Sequence, residues 1–339
     1  MNGEPGRGGY DDLPTLLKRL EAYIALWQNP KTELNHLRCK MLNTCIEAGC
    51  KPKGIYTLTV PTGGGKTVTS LAFALHHAVT HGMKRVIYII PYTSIIEQNA
   101  EVFRNILGSG NVLEHHSGME FDLSDGASPE EIRRALASEN WDMPVVVTTA
   151  ARFFDSLYAN RSSKCRKLHN LANSVIIFDE AQMLPLCHLR PCVAAMASLA
   201  EYVGSTLVLC TATQPSLRDL LRTYAPGHTV MELCPQTEEI YDRFRRVTFR
   251  QAGVLEDDAL TERLSNHRQV LCVVNSRRAA QQIFDQRGMF PSFYPDDPYA
   301  ETGDFRGNSA EIEGRRTMPC GVYIPYRGGC GCGLSYSLP

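Results

Sequence analysis

The chain has 339 residues, 43% of them apolar and 21% charged, which suits a globular protein of two domains at roughly 100–200 residues each. Its net charge of −1 excludes a global basic field, so any nucleic-acid contact must come from a local groove. No run reaches the ~18–20 apolar residues of a membrane span, and the opening Met1-Asn2-Gly3-Glu4-Pro5-Gly6 lacks the apolar core of a signal peptide; a cytoplasmic protein without membrane contact is expected. Of the twelve cysteines, Cys45, Cys210 and Cys272 sit singly in apolar stretches, and no C-x-x-C pair occurs. Free thiols therefore fit better than a zinc site at Cys187-His188 and Cys192.

Taken in chain order, Leu16, Leu17, Leu20, Tyr23, Ile24 and Trp27 mark one face of a helix over 13–27, and a second helix is predicted over 34–48. Strands and helices then alternate. Strands are predicted at 55–60, 85–90, 112–115, 144–148, 174–178 and 206–210, and helices at 66–81, 94–107, 129–138, 151–159 and 189–202. Runs such as Arg85-Val86-Ile87-Tyr88-Ile89-Ile90 are nearly continuous in apolar content, which implies a parallel sheet covered on both faces. Residues 226–242 read as a connection. A second sheet is predicted to begin with strands 246–250 and 270–274 and a helix over 277–284. Residues 289–339 hold 8 Gly and 6 Pro, a composition expected to build neither strand nor helix.

Two segments carry chemistry. Val60-Pro61-Thr62-Gly63-Gly64-Gly65-Lys66-Thr67 is a glycine-rich turn between a predicted strand and a predicted helix. Its backbone N–H groups can cradle phosphates, Lys66 can reach the β- and γ-phosphates, and the Thr67 hydroxyl can hold Mg²⁺. Val60 stands where the usual G-x-x-x-x-G-K-[ST] pattern has its first glycine. Downstream, Asp179-Glu180-Ala181-Gln182 follows the apolar run Val175-Ile176-Ile177-Phe178, so its carboxylates emerge at a strand end. There Asp179 can complete the Mg²⁺ site and Glu180 can orient an attacking water. Both segments fall at the C-terminal ends of strands, where open α/β sheets place ligands. The expectation is an α/β chain: a complete RecA-like P-loop NTPase parallel sheet at 51–225, and the start of an incomplete second RecA-like domain at 226–288.

Further segments follow in order: Pro91-Tyr92-Thr93-Ser94-Ile95-Ile96-Glu97-Gln98, Thr148-Thr149 and Thr211-Ala212-Thr213-Gln214-Pro215. The series resembles motifs I to III of superfamily 2 helicases. More closely it resembles the helicase portion of the type I CRISPR-associated helicase-nuclease recruited by Cascade, as do Val112-Leu113-Glu114-His115-His116-Ser117 and the stretch Asn160 to His169 leading into Asn173-Ser174. The likeness covers about residues 8 to 288 and is dense through 217.

The resemblance implies ATP-driven translocation on single-stranded DNA, with ATP and Mg²⁺ as cofactors and a Cascade-type effector complex as partner. Lys66, Glu180 and Gln182 would be catalytic. Thr62, Gly63, Gly64, Gly65, Lys66, Thr67 and Asp179 would hold the nucleotide, with Thr67 and Asp179 on the metal. Gln182 would couple the nucleotide site to a facing domain, or else cap a strand end. Thr211 and Thr213 would link the γ-phosphate state to DNA grip, or serve as turn residues. Tyr92, Thr93, Thr148 and Thr149 would meet the nucleic-acid backbone through hydroxyls and N–H groups. Arg38 would approach the adenine or lie on a helix surface.

Residues 1–50 resemble the linker that follows an HD nuclease domain, so DNA cleavage is not expected of this chain, and a separate HD nuclease is a possible partner. His76-His77 and His115-His116 read as surface or loop histidines rather than ligands. The family's motif V and its arginine-bearing motif VI are not found. Residues 330–339 can be respelled in another reading frame as Gly-Val-Asp-Val-Asp-Phe-Pro-Thr-Val-Tyr, which resembles the end of motif V. A frameshift near Gly288, an out-of-frame tail over 289–339 and impaired activity are therefore expected. The alternatives are another superfamily 2 helicase acting on RNA or DNA, or a non-catalytic nucleotide- or nucleic-acid-binding fragment.

Overall fold

The computed structural model describes residues 7–91, 93–119, 128–211, 217–235, 237–245, 247–248, 250–267, 270–274, 276, 278–279, 281–283 and 321–323. The chain divides into two compact units, Met1–Phe244 and Arg245–Pro339. In the first, two helices come before any strand: α1 (Leu13–Ala25), started by the Asp12 side chain accepting from the Thr15 N–H at 2.9 Å, and α2 (Glu33–Ala48), started by Thr32. The alternating part then runs β1 (Ile55–Thr59), α3 (Lys66–Thr80), β2 (Val86–Ile90), α4 (Thr93–Leu107), β3 (Val112–His115), α5 (Pro129–Asn140), β4 (Val145–Thr149) and α6 (Ala150–Tyr158). Short helices α7 (Ser162–Cys165) and α8 (Leu168–Leu171) lead to β5 (Val175–Phe178), α9 (Leu189–Val203), β6 (Thr206–Thr211), α10 (Leu217–Tyr224), β7 (Val230–Glu232) and α11 (Thr237–Arg243).

All seven strands join one sheet in the order β3-β4-β2-β5-β6-β1-β7, and every pairing is parallel. Side chains alternate between the two faces of a strand, and here both faces are covered. Tyr56, Leu58, Tyr88, Val147, Ile177 and Cys210 pack with α1, α2, α3 and α4. Ile55, Ile87, Val146, Ile176, Phe178 and Leu209 pack with α5, α6, α9 and α10. That double burial is why the strands read as unbroken apolar runs. It also brings β1, β6 and β5 side by side, so the segments that leave their C-terminal ends converge.

Several sequence expectations are corrected. Helices α1 and α2, in the segment expected to be a helical linker, share the core of the first unit, with Leu16, Leu20 and Cys45 fully buried. Residues 226–242 are not simply a connection: Val230–Glu232 extends the sheet beside β1, pairing Ile55 with Val230 and Thr57 with Glu232. The Glu232 carboxylate explains why so short a strand stays in place. It accepts from the Thr57 and Thr59 hydroxyls, both at 2.8 Å, and from the Thr59 and Cys234 N–H groups at 3.0 and 3.2 Å. The expected strand at 246–250 is not formed at the described residues 247, 248 and 250.

The second unit contains α12 (Asp257–Ser265), β8 (Leu271–Val273) and β9 (Gly321–Tyr323), with β8 and β9 paired in parallel. Helical residues at 281–283 fall inside the helix expected over 277–284. The rest of the tail over 289–339 lies outside the described residues, but Gly321–Tyr323 corrects the expectation that it holds no regular element. Among the described residues, no helix is long and apolar enough to cross a membrane.

Candidate functional site

Between the last residue of β1 and the first of α3 the chain must turn sharply, and glycines allow it. Gly63 and Gly65 have φ of +81° and +83°, the left-handed region where a Cβ is strained. Gly64 is needed for space instead: a Cβ there would lie 2.4 Å from Val60 Cγ1 and 3.0 Å from the Pro61 carbonyl oxygen. Val60 is fully buried, so the residue that departs from the usual glycine pattern is the one that packs beneath the loop. Gly65 is the N-cap of α3 and no side chain caps that helix. Its first N–H groups and the positive end of its dipole are left to serve an anion.

Lys66, the first residue of α3, reaches across to the segment after β5. Its ammonium lies 3.3 Å from Asp179 Oδ1 and pairs with Glu180 Oε1. The Asp179 side chain is only 8% exposed. Burial pushes its carboxyl above the ordinary carboxylate range, Lys66 pulls against that rise, and the charge of Glu180 adds to it. Burial also pulls the Lys66 ammonium down, but Asp179 and Glu180 outweigh it and hold its pKa above the usual value. Glu180 adopts φ +48°, ψ +49°, a strained conformation for a non-glycine residue. It is held there by its own N–H donating to Asp179 Oδ1 at 3.0 Å, by Lys66, and by the Gln182 amide, which donates to Glu180 Oε2. Among the described residues Gln182 Oε1 is buried without a hydrogen-bond partner, a position that calls for a donor.

The other expected site residues divide. Thr67 Oγ1 stands 3.4 Å from Asn99 Oδ1 of α4. Thr211 is buried at the end of β6, in register with Thr59, and its carbonyl accepts from the Val60 N–H at 3.3 Å. Thr62 lies in the turn and is exposed. Tyr92 and Thr213 lie outside the described residues; Thr93 opens α4, but its side chain is outside them too. Thr148 is fully buried, and its hydroxyl donates to the His115 carbonyl at 2.7 Å. The Thr149 hydroxyl is likewise engaged, accepting from the Arg152 N–H at 3.2 Å as the cap of α6.

Sequence reasoning missed three features. Arg38 of α2 donates through Nε and Nη2 to the Gly63 carbonyl at 2.9 and 2.6 Å, so it touches the glycine loop. Asn99 joins the Thr67 hydroxyl, and only its spacing on α4 hinted at an inward face. Near the C-terminal ends of β3 and β4, the half-buried Arg152 and the buried Lys167 lie close enough that Arg152 helps depress the lysine's pKa, after burial itself. The Lys167 ammonium sits 5.5 Å over the Trp141 ring. The histidine expectation is corrected at His77, which is buried inside α3, whereas His116 does lie in the loop after β3. His77 is buried between the Gly49 carbonyl and the Thr206 hydroxyl, at 3.0 and 2.9 Å, and His116 is buried against Glu114 at 3.1 Å.

The donor set fits a magnesium-bound nucleoside triphosphate. It combines an uncapped helix N-terminus, a loop with no room for a Cβ at Gly64, one lysine, a hydroxyl at Thr67, a buried carboxylate at Asp179 and an orphaned acceptor at Gln182. Over 189 residues the chain is 31% identical to the CRISPR-associated nuclease/helicase Cas3 of Haloferax volcanii, a match that covers 50% of this chain and 20% of that protein. The chain thus spans about a fifth of that relative's length. Solved structures share the fold. The crystal structure of T. fusca Cas3-AMPPNP superposes with a TM-score of 0.57 at 15% identity, covering 82% of this chain and 36% of that one. That of T. fusca Cas3-ATP gives 0.56 at 15% identity, covering 72% and 33%. The sequence profile of the DEAD/DEAH box helicases matches residues 43–220, more than half of the chain, and the protein belongs to the DEAD/DEAH box helicase family.

Proposed function

We propose that the chain is the ATP-binding part of a Cas3-like motor that translocates on single-stranded DNA. The observation that carries the reading is the meeting of Lys66 with Asp179 and Glu180 across the ends of β1 and β5. Thr62 to Thr67 hold the triphosphate, with Lys66 neutralising charge on its terminal phosphates. Thr67 and Asp179 hold Mg²⁺, which when bound draws charge from the phosphate oxygens. Glu180 positions water, and the unsatisfied Gln182 Oε1 takes a donor from whatever faces the site. Thr211, at the end of the strand between β1 and β5, transmits the nucleotide state.

Nucleic acid enters at the C-terminal ends of β3 and β4, where the half-buried Arg152 offers positive charge to phosphates. The 31% identity to the Haloferax protein supports single-stranded DNA as the track, with a CRISPR effector complex as the partner that delivers it and a nuclease acting alongside. Fluorescence anisotropy with labelled 20-mers of DNA and RNA, with and without Mg·ATP, tests this. Tighter, nucleotide-dependent binding of the DNA strand is expected. Equal or tighter binding of RNA contradicts the DNA motor and favours an RNA helicase.

A further inference from the structure

Helix α2 presents two residues to the glycine loop one turn apart. Arg38 forks onto one oxygen: Nε and Nη2 reach the Gly63 carbonyl at 2.9 and 2.6 Å, while Nη1 donates to Asn35 Oδ1 at 2.9 Å. Met41, buried on the same helix, has its Cε 3.4 Å from where a Gly64 Cβ would stand. The peptide joining Gly63 to Gly64 is thereby held at both edges, because the Gly64 N–H donates to the Pro61 carbonyl at 3.0 Å. A peptide plane fixed by its carbonyl and its N–H has no freedom to rotate.

The orientation matters for an anion. A carbonyl oxygen turned toward a polyphosphate would repel it, and two adjacent glycines leave the backbone free to turn that way. A planar, always-charged guanidinium is suited to prevent this, since it makes charge-assisted bonds in a fixed fork. Asn35, bonded to its third nitrogen, keeps the fork in one rotamer.

We propose that Arg38 is a positioning residue for phosphate binding: it holds the Gly63 carbonyl outward so that the N–H groups at the start of α3 face the ligand. The proposal rests on the nucleotide reading above. It differs from a contact between Arg38 and the base, because it acts through the loop on phosphates alone.

Calorimetric titration of the full chain with Mg²⁺ and either ATP or inorganic tripolyphosphate tests it. The proteins are the wild type, Arg38→Ala, Arg38→Lys and Lys66→Ala, with thermal melts confirming that each is folded. Arg38→Ala is expected to weaken both ligands by the same factor, about tenfold for one charge-assisted bond. Arg38→Lys keeps the charge without the fork and recovers only part, while added methylguanidinium restores Arg38→Ala. Weakened ATP with unchanged tripolyphosphate would mean a base contact and overturn the proposal, as would no change in either ligand. Should Arg38→Ala fail to fold, Arg38→Lys decides: an equal loss for both ligands supports the proposal and no loss overturns it. Wild-type affinity in Lys66→Ala would instead sink the nucleotide reading itself, so the two failures are distinguishable.

Discussion

Gly64 shows how closely single residues are constrained at this site. Adding one methyl places it 2.4 Å from Val60 Cγ1, and overpacking of that kind costs about 1–3 kcal/mol. Gly64→Ala should therefore lower stability or displace the loop, with a measurable loss of ATP affinity. Val60→Ala in the same chain should recover part of that loss, because it removes the atom in conflict. A double variant no better than Gly64→Ala alone would show that the clash is not the cause. The residues of this loop were legible in the sequence because backbone chemistry leaves so few alternatives: a glycine-rich run ending in Lys-Thr between strand and helix has a narrow meaning. Arg38 was not legible as a loop contact. Its partner is a main-chain oxygen 25 residues away, and no side-chain pattern announces a bond to a carbonyl. The bond from Thr148 to the His115 carbonyl was hidden for a related reason, since a threonine at a strand end offers its hydroxyl equally to solvent and to the neighbouring strand, and only the packing of β3 decides.

At the scale of elements, two histidines tie helices and strands together and should make the fold acid-sensitive. Burial, with the charges of nearby His81 and Lys53, outweighs the Gly49 bond and takes His77 down to about 4. Burial beside Lys167 and Arg152 takes His115 down to about 3. The His115 Nδ1 already accepts from the Trp141 indole N–H at 3.0 Å, so a proton there would break that bond. For a group whose folded pKa lies below its unfolded value, here 6.5, stability is fully present above pH 6.5 and is lost as the pH falls toward the folded value. The raised carboxyl of Asp179 works in the opposite direction, so variants isolate the histidine effect. Urea midpoints should fall between pH 7.5 and pH 5 in the wild type, and less steeply in His77→Asn and in His115→Asn. Equal slopes in all three proteins would contradict the assignment. Element types were readable from periodicity, since the strands carry unbroken apolar runs and the helices a 3.6-residue spacing. Strand β7 escaped because three residues make no pattern, and its place depends on Glu232 meeting Thr57 and Thr59, hydroxyls 175 and 173 residues away.

Across the whole molecule, the first unit ends at Phe244, and every residue proposed for the nucleotide site lies before it, in a core that α2, β7 and α11 share. Ile240 and Phe244 belong to the same core as α1 and α3, and Arg243 pairs with Glu33 of α2 at 3.3 Å. A chain cut after Phe244 should therefore unfold cooperatively and bind ATP as the full chain does, whereas one cut at 225 should lose stability with β7. Loss of ATP binding in the 244-residue piece, measured by calorimetry beside a thermal melt, would show that the second unit contributes to the site. The sequence order of the motifs could not reveal this boundary, because the short strand that closes the sheet comes after the last recognisable motif. The central claim is that Lys66, Asp179 and Glu180 form a working nucleotide site. It is tested most directly by titrating the purified chain and its Lys66→Ala variant with Mg·ATP. The account predicts saturable one-to-one binding that weakens by about 10- to 100-fold in the variant, the worth of one charge-assisted contact. Equal affinity in the two proteins, or no binding by the folded wild type, would contradict it.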